Sequence, residues 1–341
     1  MNQTKPPIPV TLLTGFLGSG KTTLLNHFIR QLPHTAIIMN EFGEVGLDHK
    51  LLEKTQGPIA LLSGGCVCCT VQGTLSPTLK NLFMSAANGS IPNFDRVIIE
   101  TTGIADPTPI IDTLINERWI ASRFQLQGVV TTIDSVLGEL QLDSYPEAVK
   151  QVAVADRLVF TKTDLASSGQ IEALKLRVAM LNPGAPMIDV IKGEVDPAAI
   201  LHASAYNPAS NTDNVQKWLD NGHFKPIKRG AFVATKLIPG DAHDDRIRSY
   251  SLFIEEPLEW DNVYSALNKL VSTRSKNILR VKGILNLKGK NTPTVIHGVQ
   301  HILYPPVELP AWPDEDHRSR LVVITYDLDK NIAEELLESF N

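Results

Sequence analysis

Short apolar runs punctuate the chain to about residue 200: Ile8–Leu13, Ala36–Met39, Ile59–Leu62, Arg96–Ile99, Gly128–Ile133, Leu158–Phe160 and Met187–Ile191. They are rich in Val, Ile and Leu and alternate little with polar residues, as strands buried on both faces of a parallel sheet do. The stretches between them follow helical spacing. Leu24, Phe28 and Leu32 lie four apart, with Leu25 and Ile29 beside them, so Thr22–Gln31 reads as a helix stopped by Pro33. Pro77–Ala87, Thr108–Glu117, Glu147–Ala153 and Gly169–Leu181 read the same way. Strand–helix alternation of this kind predicts an α/β fold, a doubly wound, mostly parallel sheet.

The pattern changes near Ala205. Residues 206–230 are polar and rich in Asn, Asp, Ser, Pro and Gly, and read as a linker between a first domain, 1–205, and a second, 231–341. In the second part Ser249–Ile254 alternates like a strand and Trp260–Val271 like an amphipathic helix. Leu279–Leu285, Thr294–Tyr304 and Leu321–Tyr326 follow as strands, with a terminal helix from about Asp329. This order predicts a smaller α+β C-terminal domain on an antiparallel sheet.

The composition adds exclusions. Hydrophobic residues make up 43% of the 341 and charged residues 20%, ordinary for a globular protein. A formal charge of −5 argues against nucleic acid as a partner. No run of about 18 apolar residues is present, so no membrane span is expected. The first residues, Met1 to Pro7, lack the apolar core of an export signal. The three cysteines are clustered rather than paired for a disulfide framework, which makes the cytoplasm the expected location.

Chemistry concentrates in the first domain. Gly15-Phe16-Leu17-Gly18-Ser19-Gly20-Lys21-Thr22 matches G-x-x-x-x-G-K-[ST] between a strand and a helix, the context that a phosphate-binding loop requires. Backbone amides from Gly15 to Thr23, Ser19 included, would wrap the phosphates of a nucleotide. Lys21 would reach the β- and γ-phosphates, and the Thr22 hydroxyl would serve Mg²⁺. Glu100 ends a buried strand, where an acid can hold Mg²⁺ or orient an attacking water, and the Gly103 amide can sense the γ-phosphate. In Thr161-Lys162-Thr163-Asp164, the Asp164 carboxylate can accept both N–H donors of guanine, and the Lys162 stem can lie along the base, which favours GTP and GDP. Asp48 and Glu44, in the loop from Asn40, are candidates for water or metal contact on a segment that could order around a γ-phosphate and Mg²⁺, with solvated loop acids as the competing reading.

Cys66-Val67-Cys68-Cys69 follows Gly64-Gly65, whose flexible backbone can bring three sulfurs together. Three thiolates suit Zn²⁺, Co²⁺ or Cu(I) over Mg²⁺ or Ca²⁺. A structural zinc usually has four protein ligands, so three leave one position open, as a transfer site would need. A redox-active thiol pair and inert buried thiols are the competing readings. His297 and His301, four apart, would share a strand face, and with His317 could form a second metal site; packing or surface histidines are the plainer reading.

These residues resemble the CobW-type P-loop GTPases. The likeness rests on T-G-F-L-G-S-G-K-T-T (Thr14–Thr23), N-E-F-G-E-V (Asn40–Val45), G-G-C-V-C-C (Gly64–Cys69), E-T-T-G-x-A-D-P (Glu100–Pro107) and T-K-T-D (Thr161–Asp164). It continues through L-R-V-K-G (Leu279–Gly283) and H-G-V-Q (His297–Gln300). The resemblance implies a P-loop NTPase domain with a CobW C-terminal domain, slow GTP hydrolysis, and metal delivery, usually of zinc or cobalt, to a client metalloprotein. A homo-oligomer is left open. Met39 stands where some relatives have a glutamate that can bind metal, and Thr70–Leu79 lacks the acids found in some of them. The rival functions are a zinc buffer or thiol redox sensor that holds nucleotide for stability, and a small-molecule kinase.

Overall fold

The structure, a computed structural model, describes residues 6–40, 57–62, 70–183, 185–201, 233–235, 247–274, 277–328 and 339–340. Two compact units are present, each built on its own sheet.

In the first unit seven strands lie in the order β3-β2-β4-β1-β5-β6-β7 and all pairings are parallel. They are β1 (Ile8–Gly15), β2 (Thr35–Asn40), β3 (Ile59–Leu62), β4 (Arg96–Glu100), β5 (Phe124–Asp134), β6 (Arg157–Thr161) and β7 (Met187–Val190). The unbroken apolar runs are explained by burial on both faces: Val10, Leu12, Leu13, Val97, Ile98 and Ile99 are all sealed from solvent. β5 begins at Phe124, four residues before its apolar run, and its pairing with β1 shifts register between Val10 and Thr11. That irregularity lets a strand with Gln125 and Gln127 start early, and the alternation there hides it from a reading based on continuous apolar runs.

Helix α1 (Lys21–Gln31) lies on one face, its Leu24, Leu25, Phe28 and Ile29 packed on Leu13, Ile37, Met39, Ile98, Val130, Val159 and Val190. Helix α2 spans Thr70–Ala87, beginning seven residues ahead of the expected Pro77 start. Pro77 is carried inside it, and Thr78 Oγ1 donates to Thr74 O at 2.7 Å, taking up a carbonyl beside the interruption. Helices α3 (Thr108–Asn116) and α4 (Arg118–Ala121) follow β4, and α5 (Gly138–Ser144) and α6 (Pro146–Val154) follow β5. Helix α7 (Ser168–Leu181) precedes β7, and the short α8 (Pro197–Leu201) sends Ile200 and Leu201 into the α1 core.

In the second unit the order is β12-β11-β10-β14-β9-β8, antiparallel throughout, with β13 on β11. The strands are β8 (Val233–Thr235), β9 (Ile247–Ile254), β10 (Ile278–Leu285), β11 (Thr294–Val299), β12 (Ile302–Leu303), β13 (Val307–Glu308) and β14 (Ser319–Tyr326). Helix α9 (Trp260–Thr273) covers one face through Val263, Ala266, Leu267 and Leu270, which meet Tyr250, Leu252, Val281, Ile296, Leu321 and Val323. The expected strand Thr294–Tyr304 is two strands separated by a turn, with Gln300 at φ 50. The turn places His301 outside the strand, exposed, while His297 is buried in β11, so the two rings do not share a strand face. Most of the expected terminal helix and the 206–230 linker lie outside the described residues.

Because Phe28 sits at the centre of the α1–sheet contact, Phe28→Ala is expected to cost about 3–5 kcal/mol. A fall in the urea midpoint of unfolding checks this; an unchanged midpoint would mean that α1 is not seated on the sheet as described.

Candidate functional site

The chain segments at the C-terminal ends of β1, β4, β5 and β6 converge on the loop Gly15–Thr22. Gly15 has φ 142, and a Cβ there would lie 2.3 Å from Thr132 Oγ1 and 2.7 Å from Ser19 Oγ, so only glycine fits. The crowding has a purpose in the hydrogen bonding. Ser19 Oγ meets Thr132 Oγ1 at 2.6 Å, and Thr161 Oγ1 donates to Ser19 O at 2.8 Å. Two strand ends thus hold the loop from beneath, and the Ser19 hydroxyl points inward. Gly18 and Gly20 adopt left-handed backbone, φ 73 and 87. Helix α1 starts at Gly20 without a side-chain cap and with no acid in its first turn, which leaves its leading N–H groups open to an anion. Thr23 is exposed on that turn.

Lys21 is buried, and its Nζ donates to Gly15 O at 2.8 Å and Phe16 O at 3.0 Å. Burial lowers its pKa from the usual 10.5 to about 8, partly opposed by Glu100. Glu100 is buried too, and burial pushes its carboxyl above the usual value against the pull of Thr22 and Lys21. Thr22 Oγ1 donates to Glu100 Oε1 at 2.7 Å, while Glu100 Oε2 is buried with no hydrogen-bond partner among the described residues. A buried carboxylate oxygen left over beside a threonine hydroxyl is the donor set a small hard cation such as Mg²⁺ takes.

Gly103 follows Glu100 by three residues, and a Cβ on it would lie 2.6 Å from the Leu17 backbone nitrogen, so this loop rests directly on the tip of the first. On the other side, Lys162 has φ 55 and its Nζ donates to Asp134 Oδ2 at 2.6 Å. Asp134 is fully buried, and its Oδ1 accepts from the Val136 and Leu137 amides at 2.8 and 3.1 Å. Asp164 is exposed in the turn after β6.

Of the residues singled out in the sequence, Gly15, Gly18, Ser19, Gly20, Lys21, Thr22, Glu100 and Gly103 come together, with Lys162 and Asp164 on the adjoining β6 turn. Cys66, Cys68, Cys69, Glu44 and Asp48 lie outside the described residues. Helix α2 begins at Thr70, the residue after Cys69. It is fixed to the α3–α4 corner by Glu117, whose Oε1 accepts from Ser76 Oγ and Lys80 Nζ, both at 2.6 Å. Met39 is 8% exposed inside the α1 core. Among the described residues no group of three or more His, Cys, Asp or Glu could hold a metal ion, and no helix is long and apolar enough to cross a membrane.

Sequence reasoning missed Asp134, Thr132 and Thr161. The signal for Asp134 was available: like Glu100, it is an acid closing an apolar run, Val129 to Asp134. The threonines gave none, since their role depends on register, Gly15 opposite Thr132 and Asp134 opposite Thr161.

A parallel sheet with a glycine-rich loop, lysine and threonine at the start of α1 defines a P-loop nucleotide-binding protein. Residues 9–189 match the CobW/HypB/UreG nucleotide-binding domain, and residues 247–341 match the cobalamin synthesis protein CobW C-terminal domain. The chain belongs to the CobW/HypB/UreG family. It is 34% identical to the zinc chaperone YjiA of Escherichia coli, over 94% of this chain and 95% of that protein. It is 28% identical to the zinc chaperone CobW of Pseudomonas aeruginosa, over 96% of this chain and 90% of that one. A crystal structure of the Zn(II)-bound YjiA GTPase from E. coli superposes with a TM-score of 0.73 at 29% identity, covering 98% of this chain and 99% of that one.

The lowered lysine pKa has a signed consequence. Below about pH 8 Lys21 is cationic and ready for phosphate; above it the free site loses its proton, which the bound anion has to restore. Affinity for GDP is therefore expected to be flat up to about pH 8 and then to weaken, approaching tenfold per pH unit. Calorimetric titration between pH 7 and 9 reads this; an affinity independent of pH over that range would contradict the depressed value.

Proposed function

We propose that the chain is a GTP-hydrolysing zinc chaperone, in which binding and hydrolysis of GTP are coupled to the loading and release of a divalent metal held by Cys66, Cys68 and Cys69. The observation that supports it most is the Lys21–Glu100–Thr22 constellation under the glycine loop, in a chain whose full-length relatives include zinc chaperones. Gly15 to Thr23 bind the phosphates through backbone amides, and Lys21 leaves its two carbonyls to pair with the β- and γ-oxygens. Thr22 and Glu100 hold Mg²⁺, which neutralises charge on the phosphates. Glu100 or Asp48 orients the attacking water, and Glu44 is a further metal contact. Lys162, held by Asp134, lies along the base, and Asp164 accepts the two guanine donors. Zn²⁺ is the cargo that fits the thiolates best, with Co²⁺ as the other candidate. The recipient is a client metalloprotein.

Coupling of this kind requires that nucleotide and metal change each other's affinity by the same factor. Zinc titration of the reduced protein with GDP and with a non-hydrolysable GTP analogue tests it, with Co²⁺ absorption counting the thiolates. Equal metal affinity in the two states would reject the switch and favour a buffer or redox sensor. Asp164→Asn is expected to weaken GTP binding roughly 10- to 100-fold through loss of a charge-assisted pair, with little effect on ATP. A kinase for another base would be indifferent to that change. Glu100→Gln is expected to lower kcat by roughly 100-fold while nucleotide still binds.

A further inference from the structure

We propose that Gln151 is a positioning residue that fixes the Gly103–Ala105 loop in one of two arrangements and so sets how the site distinguishes GTP from GDP. The proposal rests on the nucleotide-switch reading above. Gln151 lies on α6 and is 1% exposed. Its Nε2 donates to Gly103 O at 3.2 Å and to Ala105 O at 3.0 Å. Both amide hydrogens are thus spent on one short loop, on either side of the exposed Ile104. The helix turn that carries the glutamine is itself tied to the sheet, because Gln151 O accepts from Thr131 Oγ1 at 2.8 Å.

The chemistry fixes which way the amide points. Turning it over would set Oε1 against two carbonyl oxygens, so nitrogen must face the loop. In a trans peptide the N–H points opposite to its C=O. Drawing the Gly103 and Ala105 carbonyls toward Gln151 therefore turns the amides of Ile104 and Asp106 away from the helix. The loop is gripped from its other side as well, since Gly103 rests against the Leu17 backbone, and Leu17 O accepts from Gln141 Nε2 at 3.3 Å. A segment held between the phosphate-loop tip and a buried amide is placed to feel a change at the γ-phosphate position.

The same site carries an unpaid cost. Gln151 Oε1 is buried without a hydrogen-bond partner among the described residues, as is Thr102 Oγ1 at the start of the loop. A buried acceptor without a donor disfavours the arrangement that leaves it so. Rotation of the Gly103–Ile104 peptide would bring the Ile104 N–H to the glutamine in place of the Gly103 carbonyl, so that Oε1 gains a donor while Nε2 keeps Ala105 O. The side chain can serve either arrangement, donating twice to the loop in one and donating and accepting in the other, which a glutamine can do and a leucine or an ionised glutamate cannot.

The test compares wild type, Gln151→Leu and Gln151→Glu in the full chain, measuring affinities for fluorescent GDP and a fluorescent non-hydrolysable GTP analogue. The ratio of the two affinities is expected to shift by about fivefold or more in both variants. Affinities that stay unchanged, or fall by a common factor, would make Gln151 merely structural and overturn the proposal. If neither variant folds, hydrogen exchange in the wild type decides. Protection of the Ile104 to Asp106 amides is expected to differ between the GDP and analogue states, and equal protection would overturn it. Failure of the switch reading has a different signature, equal zinc affinity in the two nucleotide states of the wild type.

Discussion

An ammonium group held almost out of water against two backbone carbonyls governs the C-terminal edge of the parallel sheet. Lys21 can reach Gly15 O and Phe16 O only if the loop curls back over it, and the loop can curl only where Gly15 has no side chain to strike Thr132. Burial makes the charge costly, as the lowered pKa records. Glu100, an opposite charge that acts on Lys21, is itself driven toward its neutral form by the same burial. Neither group is comfortable alone, and each makes the other tolerable. Hydroxyls from Thr132 and Thr161 then hold the loop beneath the pair, with the Ser19 hydroxyl turned inward. Stability is given up locally so that a polyanion, once present, finds donors already oriented.

Much of this edge could be read from the sequence because it is local. G-x-x-x-x-G-K-[ST] sets the loop, and the apolar runs on either side of it set the strand and the helix that orient it. The runs Arg96–Ile99 and Leu158–Phe160 likewise placed Glu100 and the 161–164 turn at strand ends. What stayed hidden was long-range. Asp134 and Lys162 are 28 residues apart, and their ion pair exists only because β5 and β6 are neighbours in register. Gln151 looks like any polar residue on a helix until the Gly103 loop is packed against it. The start of helix α2 is hidden in the sequence because proline favours the first turn of a helix, and the preceding Thr, Gln and Gly residues carry no strong periodicity.

The antiparallel unit shows the opposite balance. Ser249–Ile254 reads as a strand from its alternation, and its Tyr250 and Leu252 lie opposite Val323 and Leu321 in the core, although the unbroken apolar run from Leu321 to Ile324 does not itself show which face is buried. Its second face carries Arg280, Lys282, His297 and Arg320, residues that a reading by polarity assigns to solvent. Three of them are buried. Arg320 is matched by a two-pronged contact with Asp314 at 2.7 and 2.9 Å, the geometry that makes a guanidinium bearable in a sheet. His297 is pushed well below its usual pKa by burial, with Lys282 and Arg280 adding to the effect, which keeps the imidazole neutral. It behaves as a packing residue against Tyr304, the plainer of the two readings its sequence allowed.

Met39 occupies the position directly across from Glu100 in the β2–β4 register. An acid in its place would set two carboxylates side by side in a nearly dry row, an arrangement that needs a cation between them to be tolerable. With a thioether there, that position brings Glu100 hydrocarbon in place of a second charge. Packing, and not a cation shared between two acids, therefore holds β2 beside β4 at this register.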